Sequence, residues 1–176
     1  TRIEVIDSGS VSVGQALLAL MAGRMANSSD DFDEVVRAVR SAVDRIYTVF
    51  YVETMDYLVQ NHFMTPSHGI LGTMLGIKTF VTMENGELHL MEKVRTRIQA
   101  VERLAEFASE FTDIDDAILV QHKQHPNETI RMVQDRLAVD FPNRTFPTAL
   151  YGASLAALIG TDATGLVILE SETSRE

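Results

Sequence analysis

The residues that could do chemistry in this sequence are five histidines, a few serines near the start, and a loop containing Gly and Thr near the end. There is no cysteine, so a metal would have to be bound by His, Asp and Glu. His62 and His68 are predicted to lie in different elements, and His122 and His125 flank Lys123, whose positive charge disfavours a cation. No H-x-x-x-H or H-E-x-x-H pattern occurs. The sequence therefore predicts no metal site and no cofactor.

Two polar segments have alternative interpretations. Ser8 and Ser10, in DSGS at residues 7–10, either form a turn and cap a helix or donate hydrogen bonds to a ligand carboxylate. Residues 160–165, GTDATG, either connect two elements or hold an anionic head group through hydroxyls such as that of Thr161. Asp162 opposes an anion there unless its carboxylate is paired. Neither a G-x-S-x-G elbow nor a phosphate-binding glycine loop is present, so no catalytic residue is predicted.

Composition and charge exclude several classes of partner. The formal net charge is −10 over 176 residues, which disfavours nucleic acid and anionic membranes because both are negatively charged. No apolar run approaches the ~20 residues that span a bilayer, so we expect no stable membrane insertion. No signal-peptide pattern opens the chain, and we predict a cytoplasmic protein. One compact basic group, at residues 93–97, is available to an anionic partner.

Hydrophobic periodicity predicts an alternation of strands and helices. Strands are expected at residues 2–7, 46–52, 78–83, 87–91, 117–121, 144–150 and 166–169. Helices are expected after the caps Ser12, Thr54 and Thr65, over residues 32–39, and at residues 96–111, 127–139 and 153–159. Asn85-Gly86 predicts a hairpin turn. The predicted fold class is α/β, with a mixed β-sheet covered by helices.

The stretch at residues 53–97 is rich in flexible apolar side chains, and its predicted helix after Thr65 contains three glycines, Gly69, Gly72 and Gly76. Each helical glycine costs about 1 kcal/mol relative to alanine, which suggests close approach of another chain segment or of a ligand. The surrounding apolar residues are either ordinary core or the lining of a lipid pocket. The predicted lining residues are Phe50, Leu58, Phe63, Ile70, Leu71, Met74 and Ile77.

Six segments resemble the DegV family of fatty-acid-binding proteins, in the order in which that family has them. They are residues 5–12 (VIDSGSVS, like IDS-x-S-x-S), 54–58 (TMDYL, like the start of T-L-x-Y-L-x-x-G-G-R-I), 75–79 (LGIKT, like L-N-I-K-P), 85–86 (where the family has Asp-Gly), 93–97 (KVRTR, like K-V-R-G-x-K-K-A) and 160–165 (where the family has G-x-H-x-G-P-G).

The resemblance implies a non-catalytic protein of two domains that buries a long-chain fatty acid, such as palmitate, between them. In bacteria, such proteins present the acyl chain to a fatty acid kinase subunit. By this resemblance, residues 1–44 would be a remnant of the first domain (a strand plus two helices), most of which would precede residue 1. Residues 45–176 would form the lipid-binding domain, with Thr161 near the ligand and with Arg95 and Arg97 as partner-docking residues.

Three departures from the family pattern bear on these expectations. Phe63 stands where the family has the arginine of G-G-R-I, which is linked to partner docking, and Thr79 replaces the proline of L-N-I-K-P. Asp162 replaces the loop histidine, and the Gly-Pro-Gly is lost. We therefore expect that this chain shares the family's lipid binding to a greater extent than its partnership with a kinase. Two alternatives remain: a phosphotransferase subunit related to dihydroxyacetone kinases, and a protein-interaction domain with a solid core.

Overall fold

A computed structural model describes residues 2–172 as a six-stranded sheet with helices on both faces. The elements, in chain order, are α1 (Val13–Ser28), α2 (Phe32–Val43), β1 (Ile46–Val52), α3 (Asp56–Gln60), α4 (Pro66–Met74), β2 (Lys78–Glu84), β3 (Glu87–Val94), α5 (Arg97–Ser109), β4 (Ile114–Gln121), α6 (Glu128–Asp140), β5 (Thr148–Leu150), α7 (Ala153–Ile159) and β6 (Thr164–Glu170). The predicted fold class, a mixed sheet covered by helices, is confirmed.

The strand order is β3-β2-β1-β6-β4-β5. All neighbouring pairs are antiparallel except β4 and β5, which are parallel. β1 and β6 lie at the centre, and every residue from Thr164 to Leu169 is buried. Strands covered on both faces read as continuous apolar runs, which is why IYTVFYV and GLVIL are so clear in the sequence.

Alternate residues of each central strand face two different cores. Val49 and Tyr51 of β1 face a core that also contains residues of α5 and α6. Phe50 and Val52 face a second core that contains residues of α1, α3 and α7. This alternation follows from the two-residue period of a strand, and it produces three layers with the sheet in the middle. α3 therefore lies over the Phe50 face, and α4 packs against α3.

Several element boundaries follow from local sequence. The Thr65 hydroxyl accepts the backbone N–H of His68, and Pro66 occupies the first position of α4, as predicted. Asn85 and Gly86 both have positive φ in the turn between β2 and β3. A capping box joins Thr96 and Gln99 at the start of α5.

Three sequence-based predictions in the first third of the chain are wrong. Residues 2–7 form no strand; they lie along α2, where Arg2 pairs with Asp33 and Glu4 with Arg40. None of the six strands of the described sheet comes from this segment, and β-forming residues without a ladder partner do not make a strand. Ser12 precedes α1 with φ 58°, and its hydroxyl does not cap the helix. Thr54 does not cap α3, because its hydroxyl donates to Asp162 instead.

The predicted boundary at residues 44 and 45 falls in the turn between α2 and β1. Side chains on both sides of it share one core: Leu17 and Ala42 lie in the same cluster as Phe50 and Val167. Assignment of residues 1–44 to a remnant of another domain stays a prediction.

Candidate functional site

The most exposed apolar surface near the predicted pocket belongs to α4 and the residue after it. Four large apolar side chains there are more than half exposed: Ile70 (61%), Leu71 (55%), Met74 (77%) and Leu75 (60%). Exposed apolar groups that cluster in this way mark binding surfaces more often than scattered ones do. α4 is thus a short helix whose large apolar side chains are exposed, while the residues that it buries are Gly69 and Gly72.

The glycines of α4 are explained by close packing within the chain. A Cβ built on Gly69 would lie 2.4 Å from Cγ2 of Val59, and one on Gly72 would lie 2.6 Å from Sδ of Met55. Both distances are too short for a real contact, so α4 lies as close to α3 as it does because residues 69 and 72 lack side chains. Gly76 has φ +63° after the helix, where it allows the chain to turn into β2.

Two grooves flank α4. The Asp56 groove, of about 380 Å³, is formed with α3 and is lined by Asp56, Val59, Gln60, Pro66, Gly69, Ile70, Thr73 and Met74. The Lys93 groove, of about 230 Å³, is formed with β3 and is lined by Met55, Met64, His68, Leu71, Gly72, Leu75, Ile77, Leu90 and Lys93. Ligand sites in proteins occupy about 300–1,000 Å³, so the Asp56 groove falls inside that range and the Lys93 groove just below it.

The predicted lining residues separate into three groups. Phe50 and Leu58 are fully buried in the core, and Phe63 is half-buried against the same core. Ile70 and Met74 line the Asp56 groove. Leu71 and Ile77 line the Lys93 groove. The structure therefore brings the predicted residues to one region of the molecule, but α4 divides those at the surface between its two sides.

A polar cleft lies at one end of the central strands. It is about 170 Å³ in volume and is lined by Glu53, Arg97, His122, Lys123, Asn127, Glu128, Thr129, Thr161 and Asp162. Thr161 is exposed at its rim. Three carboxylates and two permanent cations line the cleft, so its formal charge is −1 with His122 neutral. The cleft is a network of compensated charges rather than a free cationic site.

Ion pairs occupy the charged groups of this cleft. Arg97 pairs with Glu53 at 3.7 Å and also with Glu128. Lys123 lies 3.6 Å from Asp162, whose carboxylate also accepts the Thr54 hydroxyl at 3.3 Å. Asp162, which stands where the family pattern has histidine, is thus paired within the chain.

Two tyrosines hold the loop that carries Thr161 and Asp162. The buried Tyr151 hydroxyl donates to the carbonyls of Gly160 (2.9 Å) and Ala163 (3.3 Å). A Cβ built on Gly160 would lie 2.8 Å from the ring of Tyr57, and Gly160 has φ +87°. Burial raises the pKa of Tyr151 to about 12, so its phenol stays protonated and able to donate at neutral pH.

The two predicted docking arginines differ in their surroundings. Arg97 is engaged by Glu53 and Glu128 inside the polar cleft. The Arg95 side chain is exposed and forms no ion pair with any of residues 2–172. Thr79, which replaces the family's proline, is buried, and its hydroxyl donates to the Glu92 carbonyl at 3.2 Å across the β2–β3 pair.

Several residues of this region were not singled out by the sequence analysis. Met55, Met64 and Leu75 line the Lys93 groove beside the predicted residues. Tyr151 follows a short strand and has no local pattern that indicates its role. Within the described part of the chain, no three His, Asp or Glu residues are grouped to hold a metal ion. None of the helices in residues 2–172 combines the length and the apolar character needed to cross a bilayer.

Comparison with curated proteins finds relatives along nearly the whole chain. A DegV domain-containing protein of Mycobacterium tuberculosis is 31% identical in an alignment of 173 positions that covers 94% of this chain and 60% of that protein. One from Caldanaerobacter subterraneus is 27% identical over 96% of this chain and 61% of its own length. The chain thus spans about 60% of the length of these relatives.

Solved structures share the fold. A fatty acid binding DegV family protein from Streptococcus agalactiae has a TM-score of 0.82 at 23% identity, over 96% of this chain and 60% of that one. A DegV family protein from Eubacterium eligens, loaded with heptadecanoic acid, has a TM-score of 0.82 at 14% identity, over 97% and 62%. The Streptococcus pneumoniae Fatty Acid Kinase (Fak) B3 protein, loaded with linoleic acid, has a TM-score of 0.81 at 19% identity, over 97% and 61%.

The family models give the same result. The model described as "Uncharacterised protein, DegV family" matches residues 1–171, which is nearly all of the sequence. The chain belongs to the DegV family.

Proposed function

We propose that this protein binds a long-chain fatty acid without catalysing a reaction on it, and that the acyl chain lies against α4. The observation that carries the proposal is the exposure of Ile70, Leu71, Met74 and Leu75 beside two grooves. When a hydrocarbon covers a group of exposed apolar side chains, apolar surface is removed from water and the free energy of the system falls.

The ligands of the structural neighbours support this proposal. The S. agalactiae protein is described as fatty acid binding, and the E. eligens and S. pneumoniae proteins are loaded with heptadecanoic and linoleic acid. Their identities to this chain are 23% or lower, so their ligands are evidence by analogy, and the exposed face of α4 is the independent evidence.

Burial of a hydrocarbon chain supplies enough free energy for such a site to need few polar contacts. Each buried methylene contributes about 0.8 kcal/mol, so roughly ten methylenes supply about 8 kcal/mol before the cost of ordering the chain. A site of this kind needs no nucleophile or general base. This matches the absence of a Ser-His-Asp or metal-ligand pattern from the sequence.

A head-group role for Thr161 stays a prediction, and the surrounding charges do not favour it. Glu53, Glu128 and Asp162 line the same cleft, and a fatty acid carboxylate would have to compete with them for Arg97 and Lys123. Repulsion between like charges in a partly buried cleft costs free energy.

Presentation of the acid to a kinase subunit is the finer part of the proposal. It is supported by the similarity to the S. pneumoniae fatty acid kinase B3 protein and by the exposed, unpaired side chain of Arg95 among the described residues. Arg97 is less suited to docking, because a partner would have to displace Glu53 and Glu128.

Native mass spectrometry of the purified chain, followed by organic extraction, tests the proposal. We expect a co-purified acyl chain, and a rise in melting temperature when palmitate or oleate is added to delipidated protein. The absence of both would contradict the proposal.

The exposed face of α4 also fits a second function, a protein-interaction domain, because Phe50 and Leu58 pack in a solid core beneath it. In that case delipidated protein would show no thermal shift with fatty acids. Ile70→Ser and Met74→Ser would then leave all lipid measurements unchanged and would abolish only association with a protein partner.

A further inference from the structure

The turn between β2 and β3 contains the only asparagine of the chain that is followed by glycine. We propose that Asn85 is a site of spontaneous deamidation, and that the contact between this turn and Gly9 sets the rate of the reaction. The inference concerns a part of the molecule other than α4 and is independent of lipid binding.

Deamidation of asparagine is an attack by the backbone on its own side chain. The nitrogen of Gly86 loses its proton and forms a bond to Cγ of Asn85, the bond from Cγ to the side-chain nitrogen breaks, and ammonia leaves with that proton. Water then opens the cyclic imide at either of its carbonyls. The net reaction consumes water, releases ammonia and leaves aspartate or iso-aspartate at position 85. A following glycine favours the attack, because it has no Cβ to hinder the approach.

The Asn85 carboxamide is accessible to this attack. Asn85 is exposed, and its side chain forms no hydrogen bond to any of residues 2–172. The φ angles of Asn85 (52°) and Gly86 (82°) are both positive, as a two-residue hairpin turn requires. The turn therefore presents a free side chain beside an unhindered backbone nitrogen.

The other four asparagines are restrained or hindered. Asn61 donates to backbone carbonyls at 2.8 Å, and Asn127 accepts the N–H of Ile130 at 2.8 Å. Asn27 lies in α1, where the helix fixes its backbone. Asn143 is exposed, but the residue after it is arginine, whose side chain hinders the attack. Asn85 is thus the asparagine that is best placed to react.

The nitrogen that must attack is engaged by Gly9. The Gly86 N–H donates to the Gly9 carbonyl at 3.0 Å. A Cβ built on Gly9 would lie 3.8 Å from the Gly86 nitrogen, so the two backbones are in contact. While the hydrogen bond is formed, the nitrogen keeps its proton and does not bond to Cγ of Asn85. The reaction therefore proceeds from the state in which this contact is open.

Asp7 holds Gly9 in place. Its carboxylate accepts the Gly9 N–H at 3.0 Å, which closes a turn of the kind that aspartate favours. In the same segment the Ser8 hydroxyl accepts the Ser10 N–H at 3.3 Å. Asp7 is therefore a positioning residue that acts on Asn85 through Gly9.

The reaction weakens the contact that restrains it. Aspartate at position 85 adds a negative charge beside Glu84, in a cleft of about 240 Å³ that Asp44 also lines, and like charges repel there. Iso-aspartate adds a methylene to the backbone of the turn that joins the paired residues Glu84 and Glu87, and the register of a hairpin depends on its turn. Either product loosens the contact between residues 7–10 and the hairpin, so deamidation is a one-way change.

Peptide mapping by mass spectrometry of the purified chain, held at pH 8, tests the site. The conversion of an amide to an acid gives a defined increase in mass, and chromatography separates the iso-aspartyl peptide. We expect Asn85 to react first, while Asn61 and Asn143, the internal controls, stay intact. In guanidinium chloride the unfolded chain should react at Asn85 at least about fivefold faster, because the bond to Gly9 is gone. No reaction in the folded chain while the unfolded chain converts completely, or an equal reaction at Asn143, would overturn the inference.

Asp7→Ala tests the control of the rate. We expect Asn85 to deamidate about fivefold faster than in wild type, because Gly9 loses the acceptor that holds it. Asp135→Ala removes an exposed carboxylate of α6 and should leave the rate unchanged. An unchanged rate in Asp7→Ala that circular dichroism shows to be folded would overturn the role of Gly9.

A comparison within wild type needs no variant and decides the question if Asp7→Ala does not fold. Hydrogen exchange of the Gly86 amide reports how often its bond to Gly9 opens. At low concentrations of guanidinium chloride, the exchange rate and the deamidation rate should rise by the same factor. Exchange that accelerates without faster deamidation would show that the contact with Gly9 does not set the rate.

Discussion

The ring of Phe50 lies in the space that a side chain at position 165 would need. Phe50 and Gly165 are paired across β1 and β6, and a Cβ built on Gly165 would lie 2.4 Å from Cδ1 of Phe50. Val120, paired with Gly165 on the other side, would lie 2.8 Å from the same atom. At the centre of the sheet, side chains from the two neighbouring strands therefore fill the space beside Gly165, which has no side chain.

Gly165→Ala should destabilise the protein by about 1–3 kcal/mol, because an added methyl group overpacks a core with no space for it. Urea unfolding followed by circular dichroism measures the change. Gly23→Ala is the matched control: its site on α1 is exposed, with no atom within 4 Å of the new Cβ. That change should stabilise the protein by about 0.5–1 kcal/mol. Shifts of the same sign in both variants would contradict this account of Gly165.

The close packing of α4 on α3 predicts unequal effects for its two glycines. Gly69→Ala places a methyl group against the branched Val59, whereas Gly72→Ala meets the flexible Met55. Valine has one strongly preferred rotamer in a helix, and methionine can move aside at little cost. We expect faster hydrogen exchange in Asp56–Met74 for Gly69→Ala than for Gly72→Ala. Equal exchange rates in the two variants would show that Val59 does not limit the approach of the helices.

Arg45 joins α2 to the end of the central strand β6, and the residue is only 3% exposed. Its guanidinium donates to the carbonyls of Glu170 (2.7 Å) and Ser41 (3.4 Å) and lies 3.5 Å from Asp115. Arg45→Met keeps much of the packing but removes the donors, and we expect a loss of about 2 kcal/mol in the free energy of unfolding.

Asp115→Asn is the control for the ion pair of Arg45. The Asp115 side chain is about half exposed, so this variant should cost less than about 1 kcal/mol in the same urea titration. A larger loss for Asp115→Asn than for Arg45→Met would show that the ion pair, and not the bonds to the backbone carbonyls, carries the stabilisation.

Alkaline pH should destabilise the protein through two buried tyrosines. Burial raises the pKa of Tyr51 and of Tyr151 from the ordinary value of 10 to about 12. The folded state therefore keeps protons that the unfolded chain loses, and the free energy of unfolding falls as pH rises from 10 to 12. Below pH 10 both states are protonated and the contribution is fully present. Tyr151→Phe removes one of the two groups and should reduce the slope of this fall.

Urea unfolding of wild type and Tyr151→Phe at several pH values between 8 and 11 measures that slope. At pH 8 the variant should already be less stable by about 1 kcal/mol, because the carbonyls of Gly160 and Ala163 lose their donor. An unchanged slope in the variant would contradict the raised pKa of Tyr151.

Local sequence determined most of the secondary structure of this protein. The start of α4 at Thr65 and Pro66 and the turn at Asn85 and Gly86 depend on neighbours in the chain, and both were predictable. The strands β1 and β6 were equally clear, because burial on both faces requires continuous apolar runs. Residues 2–7 have the same kind of composition and form no strand, since a strand also needs a hydrogen-bonded partner strand and this segment lies along α2 instead.

Tertiary structure alone decided which apolar residues of the predicted pocket lie inside. Leu58 and Leu71 are both leucines on short helices, yet Leu58 is fully buried and Leu71 is more than half exposed on α4. Nothing in their local patterns separates them, because burial depends on which elements stack over a residue. The direction of Lys93 is a further example: a bulge between two strands places it on the face of Leu90, and sequence spacing alone predicts the opposite face.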